Sequence, residues 1–217
     1  MEIDNSIVFR LAIGIAAVMA LIRYRRSDPC FYPFFIFLWI GLIHVLGNGM
    51  LMICGYFTSW NDNVLYLFSV VVGIWQFWEW GLWKERSGYF LWLLTFLGLF
   101  WLVETCLRLE GSEVNSYFLI VSSLCLVLMS VRWIAGRLYT EYEYLHRDPV
   151  FMICFGFIIH FSVFILVESS WISRMNEEPG FRRIIYNVMA WVHIVTGILF
   201  AMAVRWVPVR KECLWKS

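Results

Sequence analysis

DPVFMICFGFIIHFSVFILVESSW, running from Asp148 to Trp171, decides the fold. From Val150 to Val167 only Gly156, His160 and Ser162 fall outside the strongly apolar set. An unbroken apolar run of about 20 residues is what a helix needs to cross a hydrocarbon core. Pro149 suits the first turn of that helix, where its missing N–H costs nothing, and Asp148 ahead of it can cap the free amides. The run therefore reads as a membrane span with two polar interruptions, His160 and, two turns later on roughly the same face, Glu168.

Working outward, the whole chain repeats this pattern. Of 217 residues 61% are hydrophobic and only 15% charged, with 13 Trp and 19 Phe. The mean hydropathy is +0.72. A soluble domain of this length cannot hide so much apolar surface, whereas a bilayer requires it. The polar intervals are short, which leaves no room for a separate soluble domain. A net charge of +1, spread in small clusters between apolar runs, excludes a nucleic-acid-binding face. The acidic start from Met1 to Ser6 lacks the basic region of a signal peptide.

Apolar runs and turn signals predict an all-α polytopic membrane protein, one domain of seven transmembrane helices at about 6–24, 30–56, 64–83, 89–109, 115–137, 149–173 and 181–205. Helix 1 carries a small-residue face (Ala12, Ala16, Ala20 with Gly14 and Ala17) that invites close approach of another helix. The TSWNDN stretch reads as a turn before helix 3, and the polar continuation of helix 5 through RLYTEYEYLHRD reads as a helix leaving the membrane. Twelve of the 17 Lys and Arg fall on one side of this topology, among them Arg23, Arg25, Arg26, Arg137, Arg147 and Arg205. The positive-inside rule puts that side in the cytoplasm, with the C-terminus, and the N-terminus outside.

The cysteines (Cys30, Cys54, Cys106, Cys125, Cys154, Cys213) form no CxxC pair, so no zinc knuckle or redox motif is read from them. Cys54 and Cys106 fall near the outer ends of their helices, where a disulfide can be drawn, although a free thiol is an ordinary small hydrophobe.

Three of the four histidines, His44, His160 and His193, come out about 16–21 Å from the cytoplasmic ends of helices 2, 6 and 7 at 1.5 Å per residue. That is near mid-bilayer. Polar side chains at that depth are expensive and face the bundle interior, paired or lining a cavity. Imidazoles from three helices can hydrogen-bond between helices, relay protons, ligate zinc or hold a haem. No HxxxH or HExxH spacing supports the metal, so an interhelical hydrogen-bond network is the leading reading. Asn48, Glu104, Glu168, Arg183, Asn187 and Trp191 complete a candidate ligand pocket with the histidines. Glu79, among Trp75, Trp78, Trp80 and Trp83, reads as structural, paired to a basic loop residue within an interfacial aromatic belt.

Two known seven-helix chemistries can be tested on residues. A retinal protein needs a lysine inside helix 7, and the only lysines, Lys84, Lys211 and Lys216, are all at the cytoplasmic side. Zinc-dependent hydrolases of the ceramidase and adiponectin-receptor kind place paired histidines on helix 7 and a Ser ahead of the helix 2 histidine. Here Met189 and Gly197 flank His193 at four residues, and Ile40 precedes His44.

LHRDPVFMICFGFIIHFSVFILV resembles the sixth helix of small seven-helix integral membrane proteins of Bacteroidota with a dPxFWisxGxxiYfsgxxf pattern. Asp148, Pro149, Phe151, Gly156, Phe161 and Ser162 match, while Met152 and His160 replace two aromatics. Tyr66 and the basic stop after helix 1 fit the same layout, and Gly73 stands where these proteins often carry a glutamate. The resemblance implies a sensory or regulatory protein of unassigned chemistry. The expectation is therefore a non-enzymatic sensor or signalling component of the bacterial inner membrane. Besides membrane lipid, it would contact a cytoplasmic or membrane protein through 137–148 and 206–217. The alternatives are an intramembrane metal- or haem-dependent enzyme using the three histidines, and a small transporter or channel.

Overall fold

The computed structural model describes residues 5–54, 59–83, 87–108, 114–138 and 147–209. Among them the regular elements are helical. α1 (Asn5–Arg23), α2 (Tyr32–Ile53), α3 (Ser59–Glu79), α4 (Ser87–Leu107), α5 (Ser116–Leu138), α6 (Pro149–Ile172) and α7 (Pro179–Trp206) follow in order. Five of them, α2 and α4 to α7, are long and apolar enough to cross a membrane. The chain has the make-up of a multi-pass membrane protein.

The burial pattern fits lipid as the solvent. Leu107 is 80% exposed while Glu104, three residues earlier on α4, is 6% exposed, and Gln76 is completely buried. Apolar side chains face outward, and buried polar ones such as Glu104 and Gln76 find partners inside.

α6 is the centre of the packing. Its Phe157 meets Phe37 of α2 at 5.1 Å and Phe200 of α7 at 5.7 Å between ring centroids, both edge to face. Phe34 of α2 meets Phe200 at 5.3 Å in the same way. Such tilted aromatic pairs add about 0.5–1.5 kcal/mol each beyond the area they bury. Glycine permits the closest approaches. A Cβ on Gly156 would stand 2.5 Å from Phe200 Cε1, and one on Gly197 2.7 Å from the Cβ of Ala12. The small-residue face of α1 is thus the seam against α7, with Ala16, Ala17 and Ala20 buried. α4 is the least covered helix, with 11% of its most apolar window inside.

At the basic end the C-terminal ends of α1 and α7 are clasped together. Arg23 donates to the carbonyls of Arg205 and Val207, and the Asp28 amide donates to Pro208 O. Arg137 pairs with Asp148 at 2.9 Å, and the Arg147 guanidinium lies 5.4 Å from the Trp206 ring centroid.

Several boundaries move from their sequence-based positions. α3 begins at Ser59, not 64, so Asn61, Asp62 and Asn63 belong to its first turn. A carboxylate is favourable there, beside the positive end of the helix dipole. α3 also stops at Glu79, not 83, because Gly81 takes φ 84°. The Leu82 amide bonds Phe77 O and the Gly81 amide bonds Trp78 O, the double closure of a left-handed glycine cap. α2 is shorter than 30–56. Pro29–Phe31 forms a 3₁₀ turn capped by Asp28, and the helix ends at Ile53. α7 starts at Pro179, two residues earlier than read, with proline at its usual first-turn position. α6 begins as read, with the Asp148 side chain accepting from the Val150 amide at 3.0 Å. The polar continuation of helix 5, with Glu141, Glu143 and His146, and the tail from Arg210 lie outside the described residues, and so does most of both proposed partner segments. Cys54 and Cys106 are exposed and unbridged.

Candidate functional site

A cavity of about 310 Å³ opens between six of the seven helices, all but α4. His44 and Asn48 reach it from α2, Tyr66 from α3, His160 from α6, and His193 and Thr196 from α7. The rest of the lining is chiefly apolar, including Phe37, Phe161, Phe164 and Phe200. The three histidines expected at one level do converge on one space.

They do so in two groups. On the α2–α3 side, Nε2 of His44 lies 2.6 Å from Oδ1 of Asp62 and 3.1 Å from Nδ2 of Asn48. Asn48 also donates to Asp62, and Asn61 donates to Asn48 Oδ1 at 2.7 Å. The Tyr66 ring packs 5.2 Å from the His44 ring and 5.1 Å from Phe164. On the α6–α7 side, the His160 and His193 rings are 4.9 Å apart, and His160 stacks on Phe164 at 6.1 Å. Each imidazole is therefore held by ring packing or by a carboxylate. Among the described residues no three His, Cys, Asp or Glu side chains come together in a set that could hold a metal ion.

The polar groups facing the space are not all used up. The Thr196 hydroxyl is buried without a hydrogen-bond partner among the described residues. His160, Tyr66 and Ser123 also line the cavity, and none of their side chains forms a hydrogen bond among the described residues. Ser69 and Ser122 spend their protons on the backbone oxygens of Leu65 and Phe118, leaving only lone pairs. An unmet buried donor costs about 1–3 kcal/mol, a cost removed when something in the cavity, water included, accepts from it.

The other predicted site residues lie elsewhere. Glu104 reaches across from α4 to the start of α5, where it accepts the amides of Tyr117 at 3.1 Å and Phe118 at 2.6 Å and pairs with Arg108 at 3.3 Å. Asn63 and Thr105 hold Asn115 beside it. Glu168, also buried, stands by Ser116 and within electrostatic range of Glu104 and Arg108. This cluster fastens the C-terminal ends of α4 and α6 to the start of α5. Arg183, Asn187 and Trp191 are exposed on α7, Trp191 at 68%, and do not line the cavity. Glu79 accepts from Trp75 Nε1 at 3.0 Å, and the nearby loop residues Lys84 and Arg86 lie outside the described residues.

Asp62 and Thr196 were not singled out by the sequence, and Tyr66 was noted there only for its fit to a helix layout. Asp62 was hidden by reading TSWNDN as a turn. The S-x-x-D spacing of Ser59 and Asp62 ahead of an apolar run is itself a helix-start signal and points to the correct register. No protein-family model matches the chain, and no curated protein or solved structure matches it either.

Proposed function

We propose that this chain is a seven-span protein of the bacterial inner membrane, with its C-terminus in the cytoplasm, that holds a small ligand in the histidine-lined cavity and acts as a sensor. The cavity carries the reading, because it presents unpartnered polar side chains from several helices to one internal space. The sensory part rests on the position of the space between six helices. A ligand that favours one arrangement of those helices shifts the population toward it, and their cytoplasmic ends carry the change to a partner. The basic clasp of Arg23, Arg137 and Arg147 at one end supports the orientation.

Native mass spectrometry of the full chain released from lipid nanodiscs tests the binding. One small-molecule adduct per chain is expected, and it should disappear in Ser123→Leu, which fills the space from α5. A wild-type protein with no adduct, and with the same spin-label distances between α6 and α7 before and after solvent extraction, would end the proposal.

A further inference from the structure

Resting on that reading, we infer that the ligand is an uncharged, flat ring compound with carbonyl oxygens on more than one edge, the chemistry of a quinone headgroup. Charge decides the first property. Among the described residues no Asp, Glu, Lys or Arg lines the cavity, and the Asp62 carboxylate beside it is already held by His44 and Asn48. An ionised headgroup would enter with no lysine, arginine or carboxylate side chain in the described lining to meet it, which an apolar interior penalises heavily.

The walls decide the second property. Phe37, Phe161, Phe164 and Phe200 supply ring surface on the α2, α6 and α7 sides. Aromatic rings on several sides favour a planar guest, which can pack against them offset or edge to face. The volume, about 310 Å³, is at the lower end for small-molecule sites, which run from about 300 to 1,000 Å³. A ring headgroup fits that space, whereas a whole lipid does not.

Hydrogen bonding decides the third. Tyr66 on α3, Ser123 on α5, His160 on α6 and Thr196 on α7 approach from four helices, and each carries a proton to donate. Donors from several directions call for acceptors at several edges. A quinone provides two opposed carbonyls. A sterol has a single hydroxyl and a fatty acid a single ionised end, so neither answers donors spread around the space.

The test uses the full chain in phosphatidylcholine nanodiscs and two radiolabelled probes, a decyl-benzoquinone and decylbenzene, which share a tail but differ in ring oxygens. Saturable binding of one quinone per chain and no saturable binding of decylbenzene is expected. Thr196→Val and His160→Phe should each weaken quinone binding by about tenfold, equivalent to about 1.4 kcal/mol. Ser123→Ala serves as the milder variant if His160→Phe fails to fold. Equal binding of both probes overturns the inference and leaves an apolar-ligand sensor standing. Binding of neither probe, with a different small molecule found by native mass spectrometry, also overturns the inference alone. Binding of neither, with the cavity filled only by water, overturns both.

Discussion

Nε2 of His44, on α2, lies 2.6 Å from Oδ1 of Asp62 in the first turn of α3. The pair is only partly shielded, with side chains 25% and 17% exposed, and it sits beside a cavity between helices. Asn48 and Asn61 close a small network around it, so that α2 and α3 are joined by polar contacts where their connecting segment begins.

Asp62→Ala removes the acceptor shared by His44 and Asn48. A hydrogen bond to a charged group is worth about 1.5–3 kcal/mol. For a chain of this size each kcal/mol corresponds to about 2–4 °C in the thermal midpoint. A fall of several degrees in detergent is expected, with a smaller fall for Asp62→Asn. In the cycle with His44→Ala the two losses should not add, because both break one contact. Additive losses would mean that the two side chains do not depend on each other.

Glu104 tests the difference between a pocket residue and a fastening. Its carboxylate accepts two α5 amides, the Phe118 one fully buried, and is neutralised by Arg108. Glu104→Ala should destabilise the fold by about 2–3 kcal/mol through the lost cap and the stranded amides. Glu104→Gln, which keeps one acceptor, should lose less. Adduct occupancy in surviving Glu104→Gln protein should equal wild type, since Glu104 does not line the cavity. Loss of the adduct without loss of stability would move the ligand to this cluster.

Much of this architecture is legible in the chain itself, and the reasons differ between parts. The α6 start could be read because Asp148-Pro149 carries both its cap and its first-turn proline. The α1 seam followed from alanines at four-residue spacing. Counting along helices, where rise per residue is fixed, assigned His44, His160 and His193 similar depths, and the three side chains line one cavity. Rotation about each helix axis is not fixed by counting. Glu104 and Glu168 therefore came out beside the α5 start, and Arg183 and Asn187 came out exposed, although all four had been assigned to one pocket. Hydropathy also hides polar first turns, which is why Asp62 was placed in a loop.

Gly156 and Gly197 set the distance of α7 from α6 and α1. Gly156→Val places new atoms against Phe200, and Gly197→Val against both side chain and backbone of Ala12. Overpacking of this kind typically costs about 1–3 kcal/mol. Gly197→Val is expected to be the worse of the two, since the Ala12 backbone, 3.0 Å from the new Cβ, cannot rotate aside as the Phe200 ring can. Ala12→Gly should recover part of the Gly197→Val loss in thermal unfolding. No recovery would show that the α1–α7 contact is not where the strain arises.

Gln76 is completely buried on α3 and completes the start of α2 from outside that helix. Its Oε1 accepts the Phe34 amide at 2.7 Å, and its Nε2 donates to Cys30 O at 2.6 Å. The first amides of a helix have no intrahelical acceptor, and Pro33 cannot donate. Gln76→Leu conserves volume and strands both backbone groups among the buried Phe31, Phe34 and Phe77, at about 1–3 kcal/mol for each unsatisfied group. Gln76→Glu keeps the acceptor for Phe34 but, when ionised, sets a second oxygen against the Cys30 carbonyl. It should therefore be destabilised at neutral pH and recover at acidic pH, where the protonated carboxyl donates as the amide does. Thermal midpoints of the three proteins measured at neutral and acidic pH decide this, with wild type as the reference for any general effect of acid. A Gln76→Leu protein as stable as wild type would mean that Phe34 and Cys30 are satisfied by another route and that α2 does not depend on α3 for its first turn.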